Sequence, residues 1–103
     1  MSRPATTIID GGDGNDLVYG GDLADTIDGG AGSDYLAGGA GADLIDGNVG
    51  NDNINGEAGN DSITSGTGDD SILGGIGNDT IRADEGNDTI IGGDGDDSIF
   101  GFE

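Results

Sequence analysis

Aspartate recurs every nine residues through most of this 103-residue chain, at Asp16, Asp25, Asp34, Asp43, Asp52, Asp61, Asp70, Asp79, Asp88 and Asp97. Glycines precede each in a repeating pattern, as in GGDGND at 11–16 and GGAGAD at 38–43. A carboxylate beside a glycine turn, whose carbonyls are free to point at one centre, is an oxygen-donor set suited to a hard cation. Calcium takes six to eight oxygens at roughly 2.3–2.6 Å in a tolerant geometry, so one such loop cannot surround it alone. Other chemistry has little to stand on. Without His, Cys or Lys, general bases and nucleophiles reduce to carboxylates and hydroxyls. Paired aspartates can hydrolyse glycosides, but every regular pair is already claimed by the cation, and no enzyme is expected.

The elements that must position these aspartates follow from the same period. Ten units of nine fill residues 11–100 without insertion or deletion. Place eight is always a branched aliphatic residue: Val18, Ile27, Leu36, Ile45, Ile54, Ile63, Ile72, Ile81, Ile90 and Ile99, with Ile9 in phase ahead of the array. All 25 glycines fall at place one, two or four. Places one to six therefore read as a turn in which glycine permits positive φ, and helix is excluded at that glycine density. Places seven to nine read as a three-residue strand with side chains alternating out, in, out. If consecutive strands fall on two opposite sheets, a full coil takes 18 residues. Residues 18 apart then stack about 4.8 Å from each other. Val18, Leu36, Ile54, Ile72 and Ile90 line one sheet; Ile9, Ile27, Ile45, Ile63, Ile81 and Ile99 line the other.

The unit GGxGxDxUx, with U a large aliphatic residue, resembles the calcium-binding nonapeptide of the RTX (repeats-in-toxin) family, hemolysin-type, over about nine tenths of the chain. The resemblance implies an all-β fold, a parallel β-roll (a right-handed β-helix or solenoid) of two short-stranded parallel sheets with calcium in the loops. It implies that each ion is sandwiched between one loop and the loop a full turn later. Asp16 would pair with Asp34, Asp25 with Asp43, and so on to Asp79 with Asp97, giving about eight Ca2+ ions, four along each edge. Carbonyls would come from the glycine turns, at Gly11, Gly14, Gly20, Gly29, Gly32, Gly38, Gly41, Gly47, Gly50, Gly56, Gly59, Gly68, Gly74, Gly77, Gly86, Gly92 and Gly95. An EF-hand is a poor fit, because no DxDxDG with a late glutamate occurs.

Composition bounds the partners. Twenty-two acidic residues face only Arg3 and Arg82, a formal charge of −20. Self-repulsion on that scale opposes a compact state. It also argues against nucleic acid and against anionic membrane surfaces. Eight calcium ions would bring the charge to about −4. Low hydrophobicity and high charge predict disorder without metal, and hence cooperative folding on calcium that magnesium, with its tight octahedron, does not support. No cysteine is present to staple the fold. No stretch approaches a membrane span, and the first residues contain no secretory signal. By resemblance the localisation is secreted, through the bacterial type I route, with the array acting as a folding module linked to export. Residues 1–10 read as a leader and an N-terminal capping strand, Thr7 to Asp10, with Ile9 buried. Residues 11–103 read as the roll, with Gly101, Phe102 and Glu103 opening a truncated eleventh unit and Phe102 the candidate lid. The piece reads as an excised or engineered array.

Several units depart from the pattern. Leu23 replaces the place-four glycine, so the site shared by loops 20–25 and 38–43 is expected to be the weakest. Asn48, Glu57 and Asp84 replace the second glycine, the last two as possible extra ligands; Ser65 and Ala83 replace the first. Asp10, Asp28 and Asp46 stack on one outer face as a solvated ladder rather than an extra ion site. Leu17, Tyr19, Tyr35 and Ala37, continued by Leu73 and Ile91, form an outer apolar patch that is either a docking face for a neighbouring domain or second copy or ordinary strand surface. The sequons at Asn60, Asn78 and Asn87 recur with the repeat and read as its by-products. The alternative function, an adhesive or ice-binding solenoid, needs one outward residue repeated in register. Place three runs Asp13, Asp22, Ala31, Ala40, Val49, Ala58, Thr67, Ile76, Glu85, Asp94 and provides none.

Overall fold

The computed structural model describes residues 8–101. Eleven strands alternate between two sheets: β1 (Ile8–Asp10), β2 (Leu17–Gly21), β3 (Thr26–Asp28), β4 (Tyr35–Gly39), β5 (Leu44–Asp46), β6 (Asn53–Asn55), β7 (Ser62–Thr64), β8 (Ser71–Leu73), β9 (Thr80–Asp84), β10 (Thr89–Ile91) and β11 (Ser98–Gly101). Odd-numbered strands form a six-stranded sheet and even-numbered strands a five-stranded one, each in chain order. Every neighbouring pair is parallel, and residues in register are 18 apart over the repeat strands, as in Ile27↔Ile45 and Ile54↔Ile72. The expected coil of two nonapeptides per turn is borne out.

Each strand is short because the glycine turn on either side of it interrupts the extended backbone. Place eight points inward and its neighbours outward, giving the buried-between-exposed pattern of β3, β5, β7 and β8. Leu36, Ile45, Ile54 and Ile81 are fully buried, and Val18, Ile27, Ile63 and Ile72 nearly so. The molecule is a slab whose smallest extent is 13 Å, set by two sheets packed about 10 Å apart. The core is thus one ribbon of aliphatic side chains stacked along the two sheets.

Four expectations need correction. Strands β2, β4 and β9 have five residues and β11 four, not three. Gly21 pairs with Gly39 and Gly101 with Asp84, so the parallel pairing continues into these loops. Ile9 and Ile90 are only half-buried, and Ile99 is 47% exposed. Each sits on an outermost described strand of its sheet, with no covering turn on one side among the described residues. Ala37 is buried rather than part of an exposed patch; its methyl lies in register beside the larger Tyr19 and Asn55. Thr7 and Phe102, assigned above to the capping strand and the lid, lie outside the described residues. Among those described, no helix is long and apolar enough to cross a membrane.

Candidate metal centre

The turn geometry separates three roles for glycine. At place four φ runs from 99° at Gly14 to 126° at Gly77, a region open to glycine and strained for other residues. A Cβ on Gly50 would lie 2.1 Å from the Gly32 carbonyl oxygen one turn earlier. Place two is also left-handed, and there Asn48, Glu57 and Asp84 adopt φ of 63–69°, within the small region other residues reach. Place one is different and corrects the expectation: its φ is not positive. Glycine is needed there because a Cβ on Gly11 would lie 2.8 Å from both Asp16 Oδ2 and the Gly29 carbonyl oxygen. The same crowding recurs at Gly20, Gly47, Gly56 and Gly74. A carboxylate oxygen of one loop and a carbonyl of the next thus converge on one small space.

The place-six aspartates form two ladders, one along each edge of the slab. The backbone N–H of Asp16 donates to Asp34 Oδ1 at 2.8 Å, and that of Asp25 to Asp43 Oδ1 at 2.8 Å. Equivalent bonds link Asp34 to Asp52, Asp43 to Asp61, Asp52 to Asp70, Asp61 to Asp79, Asp70 to Asp88 and Asp79 to Asp97. The structure therefore brings together all eight pairs named from the sequence. From Asp25 to Asp79 these residues are at most 2% exposed.

One carboxylate oxygen is thereby committed and the other is not. Oδ2 of Asp16, Asp34, Asp43, Asp52, Asp61, Asp70, Asp79 and Asp88 is buried without a hydrogen-bond donor. A buried charge in that condition is costly unless an ion meets it or a proton neutralises it. Burial, ahead of the neighbouring carboxylates, accordingly pushes Asp61 up to about 7 and Asp43, Asp52 and Asp70 to about 6. Asp16 and Asp79 are raised from the same leading cause. Among the described residues no three carboxylates converge, so a cation here would draw the rest of its shell from carbonyls. Hard oxygen donors in a flexible, glycine-lined turn are the chemistry of calcium rather than of a softer metal.

The irregular loops behave individually. Leu23 does not adopt the positive φ of its place-four counterparts. In its turn a Cβ on Gly41 would lie 2.7 and 2.9 Å from the Leu23 carbonyl carbon and oxygen, whereas one on Gly59 would lie 2.2 Å from the Gly41 oxygen. The Leu23 carbonyl is therefore displaced from the position its equivalents share. Asp84 Oδ1 lies 3.4 Å from the Arg82 guanidinium. The Asn48 side-chain amide donates to Asp28 Oδ1. Glu57 acts on the ladder through its charge, contributing to the raised Asp43.

Two sets of supporting hydrogen bonds were missed from the sequence. At place five, Asn15 Oδ1 accepts the N–H of Ser33 at 2.8 Å, Asn60 that of Asn78, and Asn78 that of Asp96. On the same edge as Asn15, Asn51 Oδ1 accepts the Asp69 N–H and Asp69 Oδ1 the Asn87 N–H, whereas Asn60, Asn78 and Asp96 lie on the other edge. The signal was available as Asn or Asp at seven of ten place-five positions. The same bonding also gives Asn60 and Asn78, two of the three sequon asparagines, a structural role. At place nine, Asp10, Asp28, Asp46 and Asn55 each cap the following turn by accepting the N–H two residues on. Asp46 is raised by burial and by Asp28 and Asp84. Leu17, Tyr19 and Ile91 stand well exposed on the outside of the even sheet, with Tyr35 and Leu73 less so.

The family model for the RTX calcium-binding nonapeptide repeat (4 copies) matches residues 8–27, 19–54, 46–81 and 73–101, together nearly the whole chain. No curated protein and no solved structure gives a significant match. Phase-locked nonapeptides, an 18-residue two-sheet coil and paired carboxylates facing glycine carbonyls agree with that match, and the chain belongs to the RTX calcium-binding nonapeptide repeat family.

Proposed function

We propose that this chain is a calcium-responsive structural module, unfolded where calcium is scarce and folded where it is millimolar. The observation that carries the reading is the row of buried Oδ2 atoms lacking donors. Oδ2 of Asp16, Asp34, Asp61 and Asp79 shares the space beside place one with a glycine carbonyl of the next turn, and Asp52 Oδ2 shares it with the Ser65 carbonyl; calcium would satisfy both. The eight aspartate pairs set the upper ion count. The place-six aspartates supply the charge, one carboxylate serving two neighbouring pairs in the inner turns, and the glycine turns supply carbonyls.

Coupling to folding follows from mass action. A site that binds only the folded coil adds about 1.4 kcal/mol at ten times its Kd, so a ladder of sites adds on the order of 10 kcal/mol. Because inner loops are shared, filling one pair orders a loop of the next, which makes the transition cooperative. Such a module suits a protein exported unfolded through the type I route and folded by external calcium. Its exposed Leu17, Tyr19 and Tyr35 offer an apolar face to a neighbouring domain or a second copy.

Far-ultraviolet circular dichroism during a calcium titration, with magnesium as control and sedimentation alongside, tests this. A sigmoidal gain of β signal with compaction, seen with calcium alone, is expected. A rich β spectrum before calcium is added, or none at millimolar calcium, would overturn it.

A further inference from the structure

Among the eight aspartate pairs, the one between loops 65–70 and 83–88 is built differently. Elsewhere place one of the lower loop is glycine, and the direction its missing Cβ would take leads into the space between Asp Oδ2 of the same loop and the place-one carbonyl one turn on. That Cβ would lie 2.6 Å from Asp52 Oδ2 and 2.8 Å from the Ser65 carbonyl at Gly47, and 2.7 Å from both equivalents at Gly74. In the calcium reading these are two of the oxygens that face the ion, and glycine keeps the space between them empty.

Ser65 stands at that place and puts a side chain there. It is fully buried, and its Oγ donates to the Ala83 carbonyl oxygen at 2.6 Å, the carbonyl that corresponds to Gly29 O opposite Gly11. The hydroxyl also lies close enough to the Asp70 carboxyl to favour its charged form. One of the oxygens that an ion would use is therefore already bonded to this hydroxyl, whose proton is directed at it, and the other belongs to the carboxyl on which the same hydroxyl acts. Ala83, 18 residues on and 1% exposed, carries its methyl in the same direction and packs with the aliphatic core.

We propose that the Ser65 hydroxyl occupies the ion position between Asp70 and Asp88, so that this loop pair closes without metal and the chain binds one calcium fewer than its aspartate pairs allow. The inference rests on the calcium reading above. The last turn of this edge is then joined by a hydroxyl–carbonyl bond and by the Asp70 N–H to Asp88 Oδ1 bond at 2.8 Å, a join indifferent to calcium concentration.

Native mass spectrometry at saturating calcium, on the full chain and on Ser65→Gly and Ser65→Ala, tests the count. Ser65→Gly restores the common pattern and is expected to hold one ion more than the unaltered chain. Ser65→Ala, which leaves a methyl in the space, is expected to gain none. Anomalous diffraction from calcium-grown crystals of the unaltered chain gives a readout that needs no variant: peaks between Asp34 and Asp52 and between Asp52 and Asp70, and no peak between Asp70 and Asp88. A peak between Asp70 and Asp88, or equal counts in the unaltered chain and folded Ser65→Gly, would overturn the proposal and leave the calcium reading intact. No calcium bound to the unaltered chain at all would overturn the calcium reading, and this inference with it.

Discussion

The middle turns and the C-terminal turn carry the same motif under opposite conditions. Ile54 and Ile63 lie between homologues on both sides and are essentially fully buried, whereas Ile99 is 47% exposed and Phe100 beside it 52%. Asp61 donates its N–H to Asp79 and accepts that of Asp43, and is pushed up to about 7 by burial. Asp97 takes part in one such bond, from Asp79. In a solenoid, then, a residue's energetic weight is set by how many turns flank it, as nearest-neighbour models of repeat proteins require.

The sharpest way to break this contrast is to hollow the ribbon. Ile54→Ala is expected to destabilise the calcium-loaded coil by about 2–5 kcal/mol, since a buried Ile leaves a cavity that its neighbours cannot fill. Ile99→Ala should cost below about 1 kcal/mol because its side chain is half in water already. Urea midpoints at fixed calcium would compare the two, and equal losses would contradict the flanking-turn argument. Next in size, Asp61→Ala removes a carboxylate from two pairs and Asp97→Ala from one. At ten times Kd the losses should be about 2.8 and 1.4 kcal/mol, with two ions and one ion missing by equilibrium dialysis.

Backbone sterics sharpen the same comparison at smaller amplitude. Gly50→Ala must hold a left-handed conformation and meet the Gly32 carbonyl at 2.1 Å. Gly14→Ala carries a comparable φ but finds nothing within 4 Å, because no turn lies below it among the described residues. The strain common to both is about 1–3 kcal/mol, and only Gly50→Ala adds a clash. A lower calcium midpoint for Gly50→Ala than for Gly14→Ala would contradict the packing of these loops.

The smallest effect is on pH, and its sign differs with metal. In the metal-free coil Asp61 sits near 7 and Asp43, Asp52 and Asp70 near 6, all above the ordinary 3.8. Raised carboxyls favour the protonated folded state, so this contribution is fully present below about pH 4 and lost as pH rises through 6 and 7. Without calcium, β content should therefore be greater at pH 4 than at pH 7.5. With limiting calcium the trend between pH 7 and 5 reverses, because protons and calcium compete for the same oxygens. Circular dichroism against pH at zero and limiting calcium checks both arms.

Much of this was legible in the sequence, for a physical reason. A strict period of nine with an aliphatic residue at place eight leaves one solution that buries every such residue, and Ile27, Ile45, Ile63 and Ile81 stack as that period requires. What was not legible depends on distances between turns. That place one is confined by contact, and not by φ, emerges only when Asp Oδ2 and the next carbonyl are located. The burial of Ala37 depends on the bulk beside it, and the extension of β2 and β4 through Gly21 and Gly39 lies in the turn where Leu23 departs from the common φ. The place-five carboxamides were visible as residues, but their partners one turn away were not.

The two sheets also differ on their outer sides, with a consequence for how such a chain can grow. One carries the column Asp10, Asp28, Asp46, Thr64, Arg82, Phe100, the other Tyr19, Ala37, Asn55, Leu73, Ile91. Inserting or deleting nine residues would leave every inward aliphatic and every loop in phase while exchanging the two outer columns for all turns downstream. Inserting or deleting eighteen would leave both columns in place. The interior counts in nines but the surface counts in eighteens, so a lineage that had come to depend on either face could lengthen its array only by whole coils.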